Sequence, residues 1–209
     1  QGLVISGQGQ IAAPINIITR RIELRYLPNL SPQSLALEAR IGDADVVLNT
    51  TFDNGAAVSK GMQGTMPIEA TDMVSPLTVL LPNVFFGSHA VLARRLAGVS
   101  PGAEFRAFVG PGAGSQVVFR LRAEKSEQMQ FGTSTFDVHH YELVFDNAGM
   151  PLELHLYADF VGALLRLTVP GQGIDFVRDD IAGSMSRTRI TSNPGDEAAP
   201  GTPGTGEDI

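Results

Sequence analysis

Two histidines and two glutamates lie where a predicted hairpin could bring them together on one face of a sheet. If the turn at 146–149 has two central residues, His140 lies opposite His155 and Glu142 lies opposite Glu153. Opposed Cβ atoms on one face of an antiparallel pair are about 4.5–5.5 Å apart. Imidazole and carboxylate groups at that spacing could hold zinc or a similar metal ion.

The same four residues also fit a simpler interpretation, in which they form the solvated face of a half-buried strand pair. The alternate positions of both strands are apolar, with Tyr141, Leu143 and Leu154 among them, and such alternation is typical of strands with one buried face. The metal site also depends on the register. A shift of the turn by one residue would pair His155 with Glu142 instead.

Two glycine-rich segments match catalytic or phosphate-binding motifs only in part. Residues 98–102 read GVSPG and fit the G-x-S-x-G string, but the predicted helix precedes them and Pro101 has no backbone N–H for an oxyanion hole. Residues 110–114 read GPGAG and lack the Lys-Ser/Thr end of a P-loop. These segments favour turns, so the sequence supports a non-enzymatic protein over an enzyme and implies no cofactor.

Composition excludes several classes of protein. The 209 residues carry a formal charge of −7 and contain no cysteine. The missing cysteine excludes disulfides, thiolate zinc sites and a cysteine nucleophile, and the acidic balance argues against nucleic-acid binding. No apolar run approaches the roughly 18–20 residues that cross a bilayer. The first residue is Gln1 rather than Met, and we therefore expect a secreted or periplasmic protein whose signal peptide has been removed.

Alternating side chains predict most of the strands. Ile22, Leu24 and Tyr26 alternate with charged residues, which is typical of a strand with one buried face. The Asn-Gly pair at 54–55 predicts a tight hairpin turn, and a single strand is expected over residues 56–69. Further strands follow in meander order.

One helix is predicted over residues 82–97. Asn83 is a suitable N-cap, Arg94 and Arg95 suit the negative end of the helix dipole, and Gly98 provides a stop. The strand-helix alternation of a parallel α/β sheet is missing. We therefore expect a mainly β fold, in which a long curved antiparallel meander packs around one α-helix as a half-barrel or a sandwich.

The domain organisation follows from the composition of the C-terminus. Residues 1–192 carry the apolar patterning of a single β-rich domain. Residues 193–209 are rich in Pro, Gly and acidic residues and have one large apolar side chain, Ile209. Such a segment cannot bury enough surface to offset the entropy of ordering it, so a disordered acidic tail or linker is predicted.

The closing part of the domain, Leu152–Val177, contains LELHLYADFVGALLRLTVP followed by the start of GQGIDFVRDD. It resembles the closing hairpins of uncharacterised β-rich domains from bacterial periplasmic and secreted proteins, in which an LLRL-x-VP strand and a final G-x-x-x-V-R strand recur. The resemblance implies a location in the cell envelope and a curved antiparallel sheet. It carries over no catalytic residue.

Three functions are compatible with these patterns. The first is an extracytoplasmic domain that binds an apolar small molecule, a lipid or another envelope protein, with Phe85, Phe86, Leu92 and Leu96 as the candidate contacts. The second is an assembly subunit that forms homo-oligomers through its sheet edges. The third is a metal-dependent enzyme that uses the histidine and glutamate face.

Overall fold

The computed structural model describes residues 2–11, 16–82, 85–112, 115–131, 134–147, 150–178 and 181. The regular structure of these ranges consists of thirteen β-strands, one α-helix and two short 3-10 turns. The predicted N-cap Asn83 and the predicted tail at 193–209 lie outside the described residues. The prediction of a mainly β protein with one helix is confirmed for the part that is described.

The first sheet has six strands in sequence order, and every neighbouring pair is antiparallel. Its strands are β1 (Leu3–Ile11), β2 (Ile17–Tyr26), β3 (Pro32–Ile41), β4 (Ala44–Asp53), β5 (Ala56–Gln63) and β6 (Met66–Met73). This arrangement is the meander that the turn signals predicted.

The second sheet has seven strands in the order β13-β12-β11-β10-β9-β8-β7. Its strands are β7 (Val79–Leu80), β8 (Glu104–Phe108), β9 (Gln116–Phe131), β10 (Ser134–Asn147), β11 (Met150–Ala158), β12 (Leu164–Val169) and β13 (Ile174–Val177). All neighbours are antiparallel except β7 and β8, which pair in parallel. The curled sheet arrangement gives the half-barrel that the sequence predicted as one of two options.

The turn between β4 and β5 has the predicted conformation. Asn54 and Gly55 have φ angles of 49° and 79°, as expected for a hairpin turn that needs two positive φ values. The single strand predicted over residues 56–69 is wrong. The chain turns at Gly64, where φ is 58°, and the segment becomes the separate strands β5 and β6.

The core lies between the two sheets and the helix. In β2, the alternate residues Ile22, Leu24 and Tyr26 are buried while the intervening positions face outward. The hydroxyl oxygen of Tyr26 accepts a 2.9 Å hydrogen bond from the backbone N–H of Leu80, which joins the first sheet to β7 of the second. Burial raises the pKa of Tyr26, so its hydroxyl stays protonated.

The helix α1 (His89–Leu96) is shorter than predicted. A 3-10 turn at Phe86–Ser88 precedes it, and the predicted stop is confirmed because Gly98 has a φ of 77°. The buried face of α1 consists of Val91, Leu92, Ala93 and Leu96. These side chains belong to the same core cluster as residues from both sheets, so the helix occupies the concave side of the half-barrel.

A smaller apolar cluster lies apart from this core. It consists of Phe131, Val138, Leu165 and Ile181, with Met129, Phe136, Tyr157 and Val177 packed against it. Tyr141 and Leu143 of β10 face the main core. Val138 is an odd number of residues away from both, so its side chain and the smaller cluster lie on the opposite face of the second sheet. His140 shares that opposite face.

Candidate functional site

The histidine face is built by the hairpin of β10 and β11. In the structure Glu142 pairs with His155, and Asn147 pairs with Met150 across the turn. The predicted pairing of His140 with His155 and of Glu142 with Glu153 is therefore wrong, and the shifted register that pairs His155 with Glu142 is the correct one. All four side chains still share one face, because a displacement by two residues preserves the alternation of a strand.

The two imidazole rings face each other at close range. Nε2 of His140 lies 2.8 Å from Nδ1 of His155, and the ring centroids are 5.1 Å apart. The ring of Tyr157 stacks on the ring of His140, with their centroids 4.3 Å apart. The side chain of His140 is only 6% exposed, so both of its ring nitrogens need polar partners from within the protein.

A carboxylate lies near the outer nitrogen of each ring. Nδ1 of His140 is 3.2 Å from Oε1 of Glu127 on β9, although among the described residues it has no aligned hydrogen-bond partner. Nε2 of His155 is 3.9 Å from Oε2 of Glu153. The sequence did not indicate Glu127, because its position depends on the pairing of β9 with β10, in which it lies opposite Val138.

Glu142 completes a group of three possible metal ligands. One ligand atom from each of His140, Glu142 and His155 can be chosen so that all three lie within 4.8 Å of one another. Oε2 of Glu142 accepts a 3.1 Å hydrogen bond from Nη2 of Arg122, and Oε1 lies 4.0 Å from Nζ of Lys125. Arg122 also donates to Glu153. It therefore holds the carboxylates of two strands.

The charges and the burial around Glu142 and His140 favour forms of these two side chains that can bind a metal. The hydrogen bond from Arg122 is the main cause that lowers the pKa of Glu142, so this carboxyl is ionised near neutral pH. Burial, followed by the nearby charge of Lys125, lowers the pKa of His140, which favours its neutral ring. Neutral imidazole and ionised carboxylate are the ligand forms that metal ions require.

A cleft of about 370 Å³ lies between the start of α1 and the last two strands. Its lining consists of Phe86, Gly87 and Ala90 from the helix side, residues 164–167 of β12, residues 176–177 of β13, and Arg178 directly after β13. The lining is mainly apolar and includes two arginines, Arg166 and Arg178. The rings of Phe86 and Phe176 stack with their centroids 3.9 Å apart. The aromatic partner of Phe86 could not be predicted, because Phe176 is ninety positions away along the chain and no local pattern marks the contact.

The four predicted apolar contacts have different environments. Phe86 lines the cleft, whereas Leu92 and Leu96 are completely buried in the main core. Phe85 is partly buried against the same core. The structure thus brings one of the four, Phe86, to an open surface and encloses the two leucines.

A second cleft, of about 410 Å³, has a more charged lining that includes Arg95, Glu104 and Arg106. The guanidinium of Arg95 donates to the backbone carbonyls of Leu77 and Leu30, and burial lowers its pKa. Arg95 thus ties the end of α1 to two connecting segments. We assign it a structural role for that reason.

Comparison with protein-family models and with curated proteins gives no match for this chain. Among solved structures, a DUF1089 family protein from Pseudomonas aeruginosa is similar at 13% sequence identity with a TM-score of 0.46. The similarity covers 84% of this chain and 91% of that protein. Within the described residues, no helix has the length and apolar character needed to span a bilayer.

Proposed function

We propose that this protein is a non-enzymatic, extracytoplasmic domain that binds an apolar small molecule, such as a lipid chain, in the cleft between α1 and β12–β13. The observation that carries the proposal is the cleft lined by Phe86, Ala90 and Phe176 beside the apolar side chains of β12. Concave, mainly apolar sites of roughly 300–1,000 Å³ are typical of small-molecule binding.

The construction of the cleft supports entry of a ligand. Phe176 is 40% exposed, and it belongs to β13, a strand of four residues at the end of the sheet order. An edge strand has backbone partners on one side only, so it can move at lower cost than a central strand. A chain that separates Phe86 from Phe176 would exchange one apolar contact for another.

The expected affinity is modest. Each buried methylene contributes about 0.8 kcal/mol, and association costs at least about 4 kcal/mol. A chain with about ten buried methylenes therefore gains a net free energy near 4 kcal/mol, which corresponds to a dissociation constant of about 1 mM. Longer or aromatic ligands are expected to bind more tightly, so direct binding has to be measured at high ligand concentration.

The test uses the fluorescent probe N-phenyl-1-naphthylamine and its displacement by a homologous series of n-alkanols. The chain contains no tryptophan, so the probe signal is well separated from the protein. We expect displacement to strengthen about fourfold for each added methylene, the factor that corresponds to about 0.8 kcal/mol, until the cleft is full. Absence of probe binding, or displacement independent of chain length, would contradict the proposal.

A pair of variants locates the site. Ala90 lines the cleft, and Ala90→Phe should fill it and weaken probe binding by about tenfold or more, the equivalent of about 1.4 kcal/mol. Ala97 is exposed just after α1, so Ala97→Phe makes the same chemical change outside the cleft and should leave binding unchanged. Equal effects of the two substitutions would place the probe elsewhere.

The location outside the cytoplasm is a separate part of the proposal. It is supported by the glycine- and proline-rich turn chemistry of the sequence and by the resemblance of Leu152–Val177 to envelope domains. Fractionation of the source cells with an antibody against the purified protein tests it. Recovery of the protein in the cytoplasmic fraction alone would remove this part and leave the ligand proposal intact.

Assembly through a sheet edge is a second candidate function, favoured by the exposed side of β6. This strand is at the end of the first sheet, and Met66 and Met73 at its two ends are 63% and 75% exposed. An edge strand with apolar side chains can pair with another chain. Light scattering on wild type and on the double variant Met66→Lys/Met73→Lys tests it, and a monomeric wild type would exclude it.

A further inference from the structure

We propose that His140, His155 and Glu142 bind a divalent transition-metal ion such as Zn²⁺, and that Glu127 and Glu153 orient the two imidazole rings. This site faces away from the main core, on the opposite side of the second sheet. It is independent of the apolar cleft, and either proposal can fail without the other.

The first argument concerns which ring nitrogens face each other and which face carboxylates. Glu127, His140, His155 and Glu153 follow one another with gaps of 3.2 Å, 2.8 Å and 3.9 Å. Without a metal ion, one imidazole must donate its N–H to the other across the 2.8 Å gap, because two facing lone pairs would repel each other. With a metal ion between the rings, both inner nitrogens bind the metal and both outer N–H groups point at carboxylates.

The arrangement matches the surroundings that metal-binding histidines usually have. A histidine ligand commonly donates its second ring N–H to a carboxylate, which fixes the tautomer and the ring orientation. Here the buried Nδ1 of His140 lacks an aligned partner among the described residues, while Oε1 of Glu127 is 3.2 Å away. A ring orientation that aligns this bond would give His140 the second hydrogen bond that is usual for a metal-bound histidine.

The distances require only a small adjustment. Two nitrogens at about 2.05 Å from a tetrahedral zinc ion are about 3.3 Å apart, compared with the 2.8 Å between His140 and His155. An oxygen of Glu142 lies within 4.8 Å of a ring nitrogen of each histidine, compared with about 3.3 Å between two ligands of a tetrahedral zinc ion.

Arg122 and Lys125 fit the role of outer residues. Arg122 holds Oε2 of Glu142 and leaves Oε1 for the metal, and ligating carboxylates are commonly hydrogen-bonded in this way. Lys125 is 4.0 Å from that Oε1 and would give up this contact to the metal. Three carboxylates against these two cations leave the face with a net negative charge, which favours a divalent ion.

The ligand set indicates the class of metal and leaves room for a further ligand. Two imidazoles and one carboxylate suit Zn²⁺, Fe²⁺, Co²⁺ or Ni²⁺ better than Ca²⁺ or Mg²⁺, which prefer oxygen ligands. His155 and Glu142 are partly exposed, at 16% and 22%. Ions can therefore enter from the solvent side, and a water molecule can complete the coordination.

The test is metal binding by the full chain after treatment with a chelator and gel filtration. We expect calorimetry with ZnCl₂ to show about one equivalent bound, and Co²⁺ to give the visible absorption of a low-coordinate site. His155→Gln and Glu142→Gln should each weaken binding about tenfold or more, and Glu127→Gln about tenfold, as found for outer carboxylates. Circular dichroism of each variant confirms that it is folded.

His139→Gln is the matched control. His139 is the next residue on β10, and its Nδ1 is also close to a carboxylate, at 2.9 Å from Oε1 of Glu124, but it faces the other side of the strand. The His139→Gln variant should bind zinc as the wild type does. Failure of Zn²⁺, Co²⁺, Ni²⁺ and Mn²⁺ to bind, or equal loss in His139→Gln and His155→Gln, would overturn the proposal. The proposal would also be overturned if nitrogen NMR showed a proton shared between the two rings in a protein that takes up no metal.

Discussion

The ring of Phe85 lies so close to Gly7 that a Cβ atom at residue 7 would be 2.5 Å from its Cε2 atom. Gly87 approaches the same ring, where an added Cβ would lie 2.5 Å from Cζ. The ring thus fits between two glycines, one on β1 and one in the turn that leads to α1. This contact attaches the first strand of the first sheet to the segment that carries the cleft residue Phe86.

Gly7→Ala should destabilise the protein by about 1–3 kcal/mol, because the new methyl group forces the ring out of a closely packed position. Urea unfolding measures the change. Gly9→Ala is the control on the same strand, since no atom lies within 4 Å of a Cβ there. It should alter the unfolding free energy by less than about 0.5 kcal/mol. Equal effects of the two substitutions would show that Phe85 does not occupy this slot.

The stability of the protein should depend on pH through His89. Burial lowers the pKa of His89 to about 4, against the opposing effect of its hydrogen bond to the Phe86 carbonyl. In the unfolded chain the pKa is about 6.5. Between these values the unfolded state binds a proton that the folded state does not, so stability falls as the pH decreases.

Through His89, we expect the free energy of unfolding to fall by about 2 kcal/mol between pH 7 and pH 4.5. This value is smaller than the full pKa shift would give, because the side chain is partly exposed. Urea unfolding across this range measures it. His89→Gln removes the titrating ring, and its stability should fall less steeply than that of the wild type over the same range. Parallel curves for the two proteins would contradict the prediction.

Thr50 and Ser59 should stabilise the fold as a pair. Their hydroxyls are joined by a 2.8 Å hydrogen bond, and both residues are about 1% exposed. Thr50→Val or Ser59→Ala alone leaves a buried hydroxyl without its partner, which costs about 1–3 kcal/mol. The double variant should be less destabilised than the sum of the single variants. Thr51→Val, at the exposed neighbouring position, serves as the control, and strict additivity would argue against the pair.

Leu96 should act mainly through packing. It is completely buried on α1, and Leu96→Ala is expected to reduce the unfolding free energy by about 2–5 kcal/mol, the usual effect of a cavity in a core. Leu77 is 70% exposed, so Leu77→Ala should change it by less than about 0.5 kcal/mol. A folded Leu96→Ala variant of wild-type stability that no longer binds an apolar probe would instead make Leu96 a ligand contact.

Local patterns were sufficient to predict the strands that alternate in polarity and turn at clear signals. The alternation at Ile22, Leu24 and Tyr26 and the Asn54-Gly55 turn are examples, since each depends only on neighbouring residues. The turn at Gly64 was missed because Gly-Thr is a weaker hairpin signal than Asn-Gly. The helix began later than predicted, because the chain first forms a 3-10 turn at Phe86–Ser88.

The candidate sites depend on contacts between distant parts of the chain, and these were beyond local reasoning. The face that carries His140 and His155 was predicted correctly, because alternation determines the face, but the pairing was displaced by two residues, because the turn determines the register. The position of Glu127 depends on the pairing of β9 with β10, which no local pattern specifies. The parallel pairing of β7 with β8 likewise follows from tertiary packing around α1 and has no signal in either segment.

The meander order of the first sheet has a consequence for folding. Every strand from Leu3 to Met73 pairs with its neighbours in sequence, so this sheet can form hairpin by hairpin without contacts from the second half of the chain. Its apolar side, with Ile22 and Leu24 at the centre, then stays uncovered until α1 and the later strands pack against it. A partly folded chain that exposes this surface is prone to aggregation.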